Sequence, residues 1–330
     1  MAKYDKTTEG LTLVHDFAQE VKGKIFLLTG PSKGGIGAET VVTLAYGGPA
    51  MIILLGRSLS KIQPIIDSIK EINPDIKVKF VEIDLSSLRS TREAAQKILD
   101  DEEISHVNVV INNAAVMGPP WQQTEDGFEL QLAAGHLGHF VLTNSIMPKI
   151  LAAGAGARIV NVSSSGHRYN PFRFFDPNYT IPGSYNGFAA YGSVKTANIL
   201  FSVALNRRLT PRGIHAYAIH PGSISTNLQE YMKVYGAEEA AIMEDGCWRV
   251  LGMSLATHRA TGGWKTLAQG CATTLRAALD PDLVKEEGVY LEDNNLTTDT
   301  RLIKEWATDA ELAEQCWKLS EDLVGQKFEI

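Results

Sequence analysis

Tyr191 and Lys195 stand four residues apart in Tyr191-Gly192-Ser193-Val194-Lys195, inside a stretch, residues 189 to 209, that reads as helical. Residues i and i+4 share a helix face, so the phenol and the ammonium project side by side. A phenol with a pKa near ~10 is a poor acid–base group at neutral pH. A neighbouring positive charge favours the phenolate, which suits Tyr191 to exchange a proton with an alcohol or a developing alkoxide. Taken alone, such a pair is more often two surface neighbours. It gains weight from its place after Arg158 to Val162, an apolar run that ends in Ser163-Ser164-Ser165. A serine at that strand end can hydrogen-bond a substrate oxygen and stabilise the charge it gains. Ser164 is the candidate, with Ser163 and Ser165 competing because only spacing separates them. No Gly-x-Ser-x-Gly elbow surrounds them, which argues against a nucleophilic serine. Nothing in the order of residues places His136, His167 or His220 as a triad.

A second constellation lies near the start of the chain. Ile25 to Thr29 is apolar, Gly30 to Gly37 is a glycine-rich loop, Ala38 to Tyr46 is helix-compatible, and Met51 to Leu55 is apolar again. This is strand, turn, helix, strand: the first βαβ unit of a nucleotide-binding sheet. Gly30, Gly35 and Gly37 let the backbone approach a pyrophosphate, whose charge would face the amides of the helix start. Arg57, just past the second strand, sits where an adenosine ribose would lie. An arginine there can pair with the 2′-phosphate of NADP, whereas an acidic residue would select NAD. Lys33 adds a second positive charge. Asp84, at the end of the third strand, can accept a hydrogen bond from an adenine amino group or cap the helix that follows.

The elements that must hold these groups alternate along the chain. Strands are expected at 78–83, 106–111, 158–162 and 213–219, and helices at 10–22, 61–72, 89–99, 127–151 and 189–209. Strands alternating with helices over 220 residues imply a parallel sheet covered on both faces, with its ligand beyond the carboxyl ends of the strands. The expected fold is α/β, a doubly wound parallel sheet in a single domain with a C-terminal substrate-lid extension. Residues 1–21 read as an N-terminal helical extension, 22–292 as the catalytic domain and 293–330 as a C-terminal extension.

Composition narrows the class. At 330 residues, 44% apolar and 21% charged, the chain can bury a sizeable core. A net charge of −7 gives no basic footprint for nucleic acid. Cys247, Cys271 and Cys316 are odd in number and in no metal spacing, so buried thiols are expected and no metal site. No signal-peptide core opens the chain, and Gly47-Gly48-Pro49 interrupts the longest weakly polar stretch. A cytoplasmic protein with no membrane span is the expectation.

In order along the chain, Thr29-Gly30 to Gly37, Asn112-Asn113-Ala114-Ala115, His136-Leu137-Gly138-His139-Phe140, Val160 to Ser164, Tyr191 to Lys195 with Thr196-Ala197-Asn198, and His220-Pro221-Gly222 with Thr226 form a specific set. Over roughly residues 22 to 292 the chain resembles the short-chain dehydrogenase/reductase family. It is most similar to the group containing retinol dehydrogenases and WW-domain oxidoreductases, fungal members included. The resemblance implies a Rossmann-type sheet and an enzyme acting on CH–OH groups with NADP(H). It implies that Tyr191 is the catalytic acid/base, that Lys195 binds the nicotinamide ribose and lowers the tyrosine pKa, and that Ser164 orients the substrate carbonyl. The pro-S hydride would go to the carbonyl carbon. It also implies cofactor contacts at Gly30, Ser32, Lys33, Ile36, Arg57, Asp84, Asn112, Tyr191, Lys195, Ile224 and Thr226, and a homodimer or homotetramer.

Three departures accompany the resemblance. The glycine loop is one residue longer between Gly30 and Gly35, which shifts phosphate contacts toward Ser32, Lys33 and Ile36. Gly135 stands where the family places a catalytic asparagine. Val194 replaces a small polar residue before the lysine. Residues 227–270, with Met232, Tyr235, Met243, Trp248, Leu251, Met253 and Trp264, suggest a lid over a roomy apolar pocket for a lipophilic carbonyl compound, of secondary-metabolite type. Arg168 to Gly183 would form the other wall. Two alternatives follow from Gly135: a non-redox enzyme on the same fold (cyclase, dehydratase or isomerase), or a non-catalytic NADP(H)-binding protein, against which Ser164, Tyr191 and Lys195 count.

Overall fold

Apolar residues in unbroken runs make strands that are buried on both faces, and the observed strands have that pattern. Ile25–Thr29 (β1), Met51–Gly56 (β2), Val109–Asn112 (β4) and Arg158–Val162 (β5) are buried along almost their whole length. Lys77–Glu82 (β3) is more open, and His215–His220 (β6) is buried after its first residue. Ser223–Ile224 (β7) and Trp264–Lys265 (β8) form a separate parallel pair, while Tyr290–Glu292 (β9) and Asn295–Leu296 (β10) complete the main sheet. The structure, a computed structural model, describes residues 3–229, 241, 244–248, 252–260 and 263–330.

Among the described residues the main sheet has eight strands in the order β10-β9-β6-β5-β4-β1-β2-β3. All neighbours are parallel except β10 on β9. The chain winds outward from β1 to β3 on one side and from β4 onward on the other. That places the topological switch point between β1 and β4, where the crevice at the strand ends takes a ligand. Successive residues of a strand face opposite layers. Accordingly Ile25 and Leu27 enter one hydrophobic core, and Phe26 and Leu28 enter the other.

The helix expected over 127–151 is several pieces. Thr124 and Phe128 form a turn around Gly127, and the Glu129 carboxylate caps the helix start by accepting from the Gln131 and Leu132 amides. Leu130–Leu132 is α-helical, Ala133–Leu137 is a π-turn, and Gly138–Ser145 returns to α. Ile146 breaks the run, and Met147–Ala152 begins again with proline at its start, where a missing N–H does no harm. The helix expected over 10–22 is likewise divided at Phe17 into Gly10–Asp16 and Ala18–Val21.

The flanking segments are not separable by packing. Leu13, Val14 and Val21 share a core with Phe26 and Leu275, and Ala313, Cys316, Trp317 and Val324 share the other with Phe140 and Phe201. β10 extends the sheet past residue 292, so the boundaries at 21/22 and 292/293 cut through packed units. Cys247, Cys271 and Cys316 are buried and none is in a disulfide, as expected. Among the described residues one helix, Gly187–Arg212, is long and apolar enough to cross a membrane, but 83% of its most apolar 18-residue window is buried inside the protein. It is a core helix, and it carries Tyr191 and Lys195.

Candidate active site

Asn186 caps that helix by accepting hydrogen bonds from the Phe188 and Ala189 amides, so Tyr191 falls on its second turn. Tyr191 is 6% exposed and Lys195 is 2% exposed. Lys195 Nζ lies 5.4 Å from the phenol ring centroid and donates a hydrogen bond to the Val162 carbonyl at 2.7 Å. Ser163 and Ser164 meet different partners. Ser163 Oγ donates to the Lys195 carbonyl at 2.7 Å, pinning the helix to β5. Ser164 is the hydrogen-bond partner that pulls on the Tyr191 phenol. Its hydroxyl also accepts from the Gly166 amide at 3.1 Å, which caps the short turn Ser165–Arg168. Gly166 is needed there because a Cβ would stand 3.1 Å from the Tyr191 ring and 3.5 Å from Ser164 Oγ.

Burial governs the protons of this pair. It pushes the Tyr191 phenol up to about 12, against the opposing pull of the Ser164 hydroxyl, and pushes Lys195 down to about 7. Burial is the larger influence on the phenol here, and the ammonium is not among the causes that lower it. The same dry surroundings that raise the tyrosine leave the lysine only half-charged near neutral pH. The candidate histidines are also discharged by burial: His136 is held down to about 4 and His167 to about 3. His136 pairs with Ser320 at 2.8 Å and His167 Nδ1 with the Ser164 carbonyl at 2.7 Å, so both are structural.

The glycine turn stands across the switch point. Gly30 has φ 71°, and a Cβ there would lie 2.9 Å from the Ala114 side chain. The additional residue is absorbed as Gly34, at φ 75° in a turn closed by the Gly35 amide on the Ser32 carbonyl, with open space around it. Ser32 and Lys33 are exposed on this turn, and Ile36 begins the helix Ile36–Ala45 with Gly35 as a cap that has no side chain. Arg57 is exposed beyond β2.

Asn112 is 2% exposed and donates to Thr143 Oγ1 and Asn161 Oδ1, so its amide knits β4 to its neighbours. The next residue, Asn113, stands at the crevice. Its side-chain amide donates to the carbonyls of Thr29 (2.9 Å) and Gly30 (3.2 Å), clamping the glycine turn. Strand parity is the signal that separates them, since Asn112 shares the face of Val110. Asp84 is not the helix cap. Its carboxylate accepts from the Ser86 amide and hydroxyl, while Ser87 caps the helix Leu88–Asp100. Asp84 instead borders an open polar cavity of about 430 Å³ with Ser87, Arg89, Gln122 and Glu125.

Beyond β6, Ile224 is buried against Gly270, and Thr226 is half-buried. Gln229 ties this segment together, accepting from the Thr226 amide and donating to the Ile224 carbonyl. Asn227 reaches the Lys33 carbonyl at 3.3 Å, a link from the far side of the crevice to the phosphate turn. Met232, Tyr235, Met243 and Leu251 of the expected lid lie outside the described residues. Trp248 is exposed, and Gly246 packs close to Phe188 and Tyr169. The expected second wall behaves differently: Phe172 and Phe174 enter the core, Arg168 pairs with Glu292, and Phe175 points outward at 78% exposed. Among the described residues no group of His, Cys, Asp and Glu gathers as a metal site.

Comparison with known proteins agrees with this geometry. Residues 24–180 match the family model described as short chain dehydrogenase. The chain is 34% identical to the chloroplastic short-chain dehydrogenase TIC 32 A of Brassica napus over 90% of its own length and 88% of the relative's. It is 36% identical to the short-chain dehydrogenase/reductase prx1 of Penicillium roqueforti, over 84% of this chain and 76% of that one. A solved structure from Mycobacterium paratuberculosis, of an uncharacterized protein, superposes with a TM-score of 0.67 at 28% identity, covering 94% of this chain and 96% of the other.

Proposed function

The chain belongs to the short-chain dehydrogenase family, and we propose that it is an NADP(H)-dependent oxidoreductase that interconverts a carbonyl and an alcohol on a lipophilic small molecule of secondary-metabolite type. The observation that carries this reading is the half-buried Ser164 beside the buried Tyr191 and Lys195 at the carboxyl edge of β5, across the crevice from a clamped glycine turn.

The residues present suit the dinucleotide. Gly30 turns the chain at a positive φ where a Cβ would strike Ala114, the Ile36–Ala45 helix starts at Gly35 with no side-chain cap on its amides, and Lys33 and Arg57 are exposed cations on this side. In this reading Gly30, Ser32, Lys33, Ile36 and Arg57 hold the phosphates, Asp84 the adenine end, and Ile224 and Thr226 the carboxamide. Asn113 joins Asn112 in the set, acting through the turn it clamps. Arg57 is the basis for preferring NADP(H) to NAD(H), because a guanidinium pairs with the additional phosphate.

When bound, the cofactor supplies or accepts the hydride. Tyr191 gives its phenolic proton to the substrate oxygen as the carbonyl is reduced, and takes it back in the reverse direction. Ser164 donates a hydrogen bond to the same oxygen, stabilising the charge that develops there. Lys195, poised near neutral pH, adds positive charge on the phenol's side of the helix when protonated. The dry setting strengthens each of these interactions. Cytoplasmic placement is part of the same proposal.

The test is a screen of lipophilic ketones, aldehydes and alcohols with NADPH and NADP⁺, with NADH and NAD⁺ in parallel, following nicotinamide absorbance. Turnover with NADPH or NADP⁺ exceeding that with NADH or NAD⁺ is expected. Substrate conversion at constant absorbance would overturn the redox assignment, and equal rates with both cofactors would overturn the preference.

A further inference from the structure

Gly135 sits in the middle of the π-turn Ala133–Leu137, packed against the face of the helix that carries Tyr191 and Lys195. A Cβ at this position would lie 2.7 Å from Val194 Cγ1 and 3.9 Å from Val194 Cβ, and nothing else outside the local helix comes within 4 Å. The obstacle is thus one apolar side chain. Gly138, three residues on, is different: a Cβ there would strike the Leu85 carbonyl oxygen at 2.4 Å and the Leu85 Cα at 3.0 Å, both backbone atoms. Val194 is 4% exposed, shares a core with Leu132, Ala133, Ala134 and Leu137, and directly precedes Lys195. Three residues after Tyr191, it lies on the same helix face as the phenol.

We propose that Gly135 and Val194 are a size-matched pair, in which a valine methyl fills the space of the missing side chain and holds the π-turn against the Tyr191–Lys195 face. The two unusual residues are one feature. Val194 is then a positioning residue for Lys195, acting by excluding water from the lysine's surroundings. The pairing stands on packing alone, while its consequence for proton transfer rests on the oxidoreductase reading. Restoring a side chain at 135 by itself does not repair the site, because it meets Val194 first. Residues 190–202 of the helix that carries Lys195 are buried without a break, and burial is what holds that lysine down to about 7. A smaller residue at 194, next along the chain, is expected to admit water and return the lysine toward its ordinary value.

The experiment is a double-substitution cycle read without cofactor. Thermal unfolding is measured for the unsubstituted protein, Gly135→Asn, Val194→Ala and the double variant, with Gly138→Ala alone and combined with Val194→Ala as the control. Gly135→Asn is expected to lower Tm by roughly 5 °C, from overpacking against Val194. The double variant is expected to recover much of that loss, while Val194→Ala does nothing for Gly138→Ala. If Gly135→Asn fails to fold, restored soluble protein in the double variant is the same result. Losses that simply add would overturn the pairing.

A second readout follows Lys195 itself, by competitive acylation across pH with mass-spectrometric detection. Val194→Ala should move its titration to higher pH, and Val194→Thr, which keeps the branched shape, should not. Identical titration in all variants would overturn the positioning role. Neither readout needs turnover, so a negative substrate screen would count against the proposed function and leave these two results standing.

Discussion

The two sides of the crevice handle charge in opposite ways. On the β5 side, Tyr191 and Lys195 are 6% and 2% exposed, and burial sets their proton affinities. On the β1–β2 side, Ser32 and Lys33 stand in water on a turn whose backbone is held from beneath by Asn113, and Arg57 is exposed just past β2. A buried titratable group has its pKa moved by units, because no solvent compensates the change of charge. An exposed cation is screened by salt within about 8–10 Å and contributes modestly. The proposed function accordingly puts the chemistry on the dry side and the selection of an anionic ligand on the wet side.

The largest way to break this contrast is Tyr191→Phe. Removing the proton donor should lower turnover by at least ~100-fold, a typical value for general acid catalysis, while cofactor affinity stays nearly unchanged. Steady-state rates and a titration of NADPH fluorescence measure the two effects separately. Retained activity would remove Tyr191 from the mechanism.

Next in size is Gly37→Val on the turn side. A Cβ at 37 meets Asn113 Nδ2 at 2.5 Å and the Gly30 carbonyl at 2.9 Å, so the clamp must open. Overpacking of this kind costs about 1–3 kcal/mol, and the displaced turn should weaken NADPH binding by roughly tenfold or more. Isothermal titration checks the affinity. Unaltered binding would show that the clamp does not shape the turn.

The pH dependence of stability isolates Lys195. Its pKa is about 7 when folded and 10.5 is its ordinary value, so between those pH values the unfolded chain holds a proton that the folded one lacks. Unfolding therefore becomes harder as pH rises through that window, and the burden of the buried lysine is fully present only below about 7. Lys195→Met lacks this term. The stability of the unsubstituted protein relative to the variant should rise from pH 7 toward pH 10, as measured by chemical denaturation at each pH. A constant difference would mean that Lys195 is not discharged by burial.

The smallest effect is on the wet rim. Arg57→Ala should weaken NADPH binding by roughly fivefold at low salt and leave NADH binding unchanged, a scale of about 1 kcal/mol. The difference should shrink as salt is added. An equal loss for both dinucleotides would move the 2′-phosphate contact elsewhere.

Much of this was legible in the residue order because it depends on local rules. Apolar runs ending in Thr29-Gly30, Asp84 and Ser164 set the strand ends, and four-residue spacing set Tyr191 and Lys195 on one face. What escaped the reading depends on the partner of each side chain. Asn112 and Asn113 are identical in type; strand parity puts them on opposite faces, but it is the pairing of Asn112 with Thr143 and Asn161 that shows what each face meets. Ser163 and Ser164 are likewise told apart by the Lys195 carbonyl that the first one meets. The helix expected over 127–151 was misjudged because its period survives while its hydrogen-bond register changes at Ala133–Leu137.

From the sequence alone came the alternation that specifies a doubly wound sheet, the glycine turn and the tyrosine–lysine pair, all properties of neighbours within a few residues. Tertiary structure decided the proton affinities of that pair, since burial is a property of everything packed around it. It also decided the meaning of Gly135. In the sequence that residue is a deletion of a side chain, whereas in the fold the space is filled by Val194, 59 positions further along the chain.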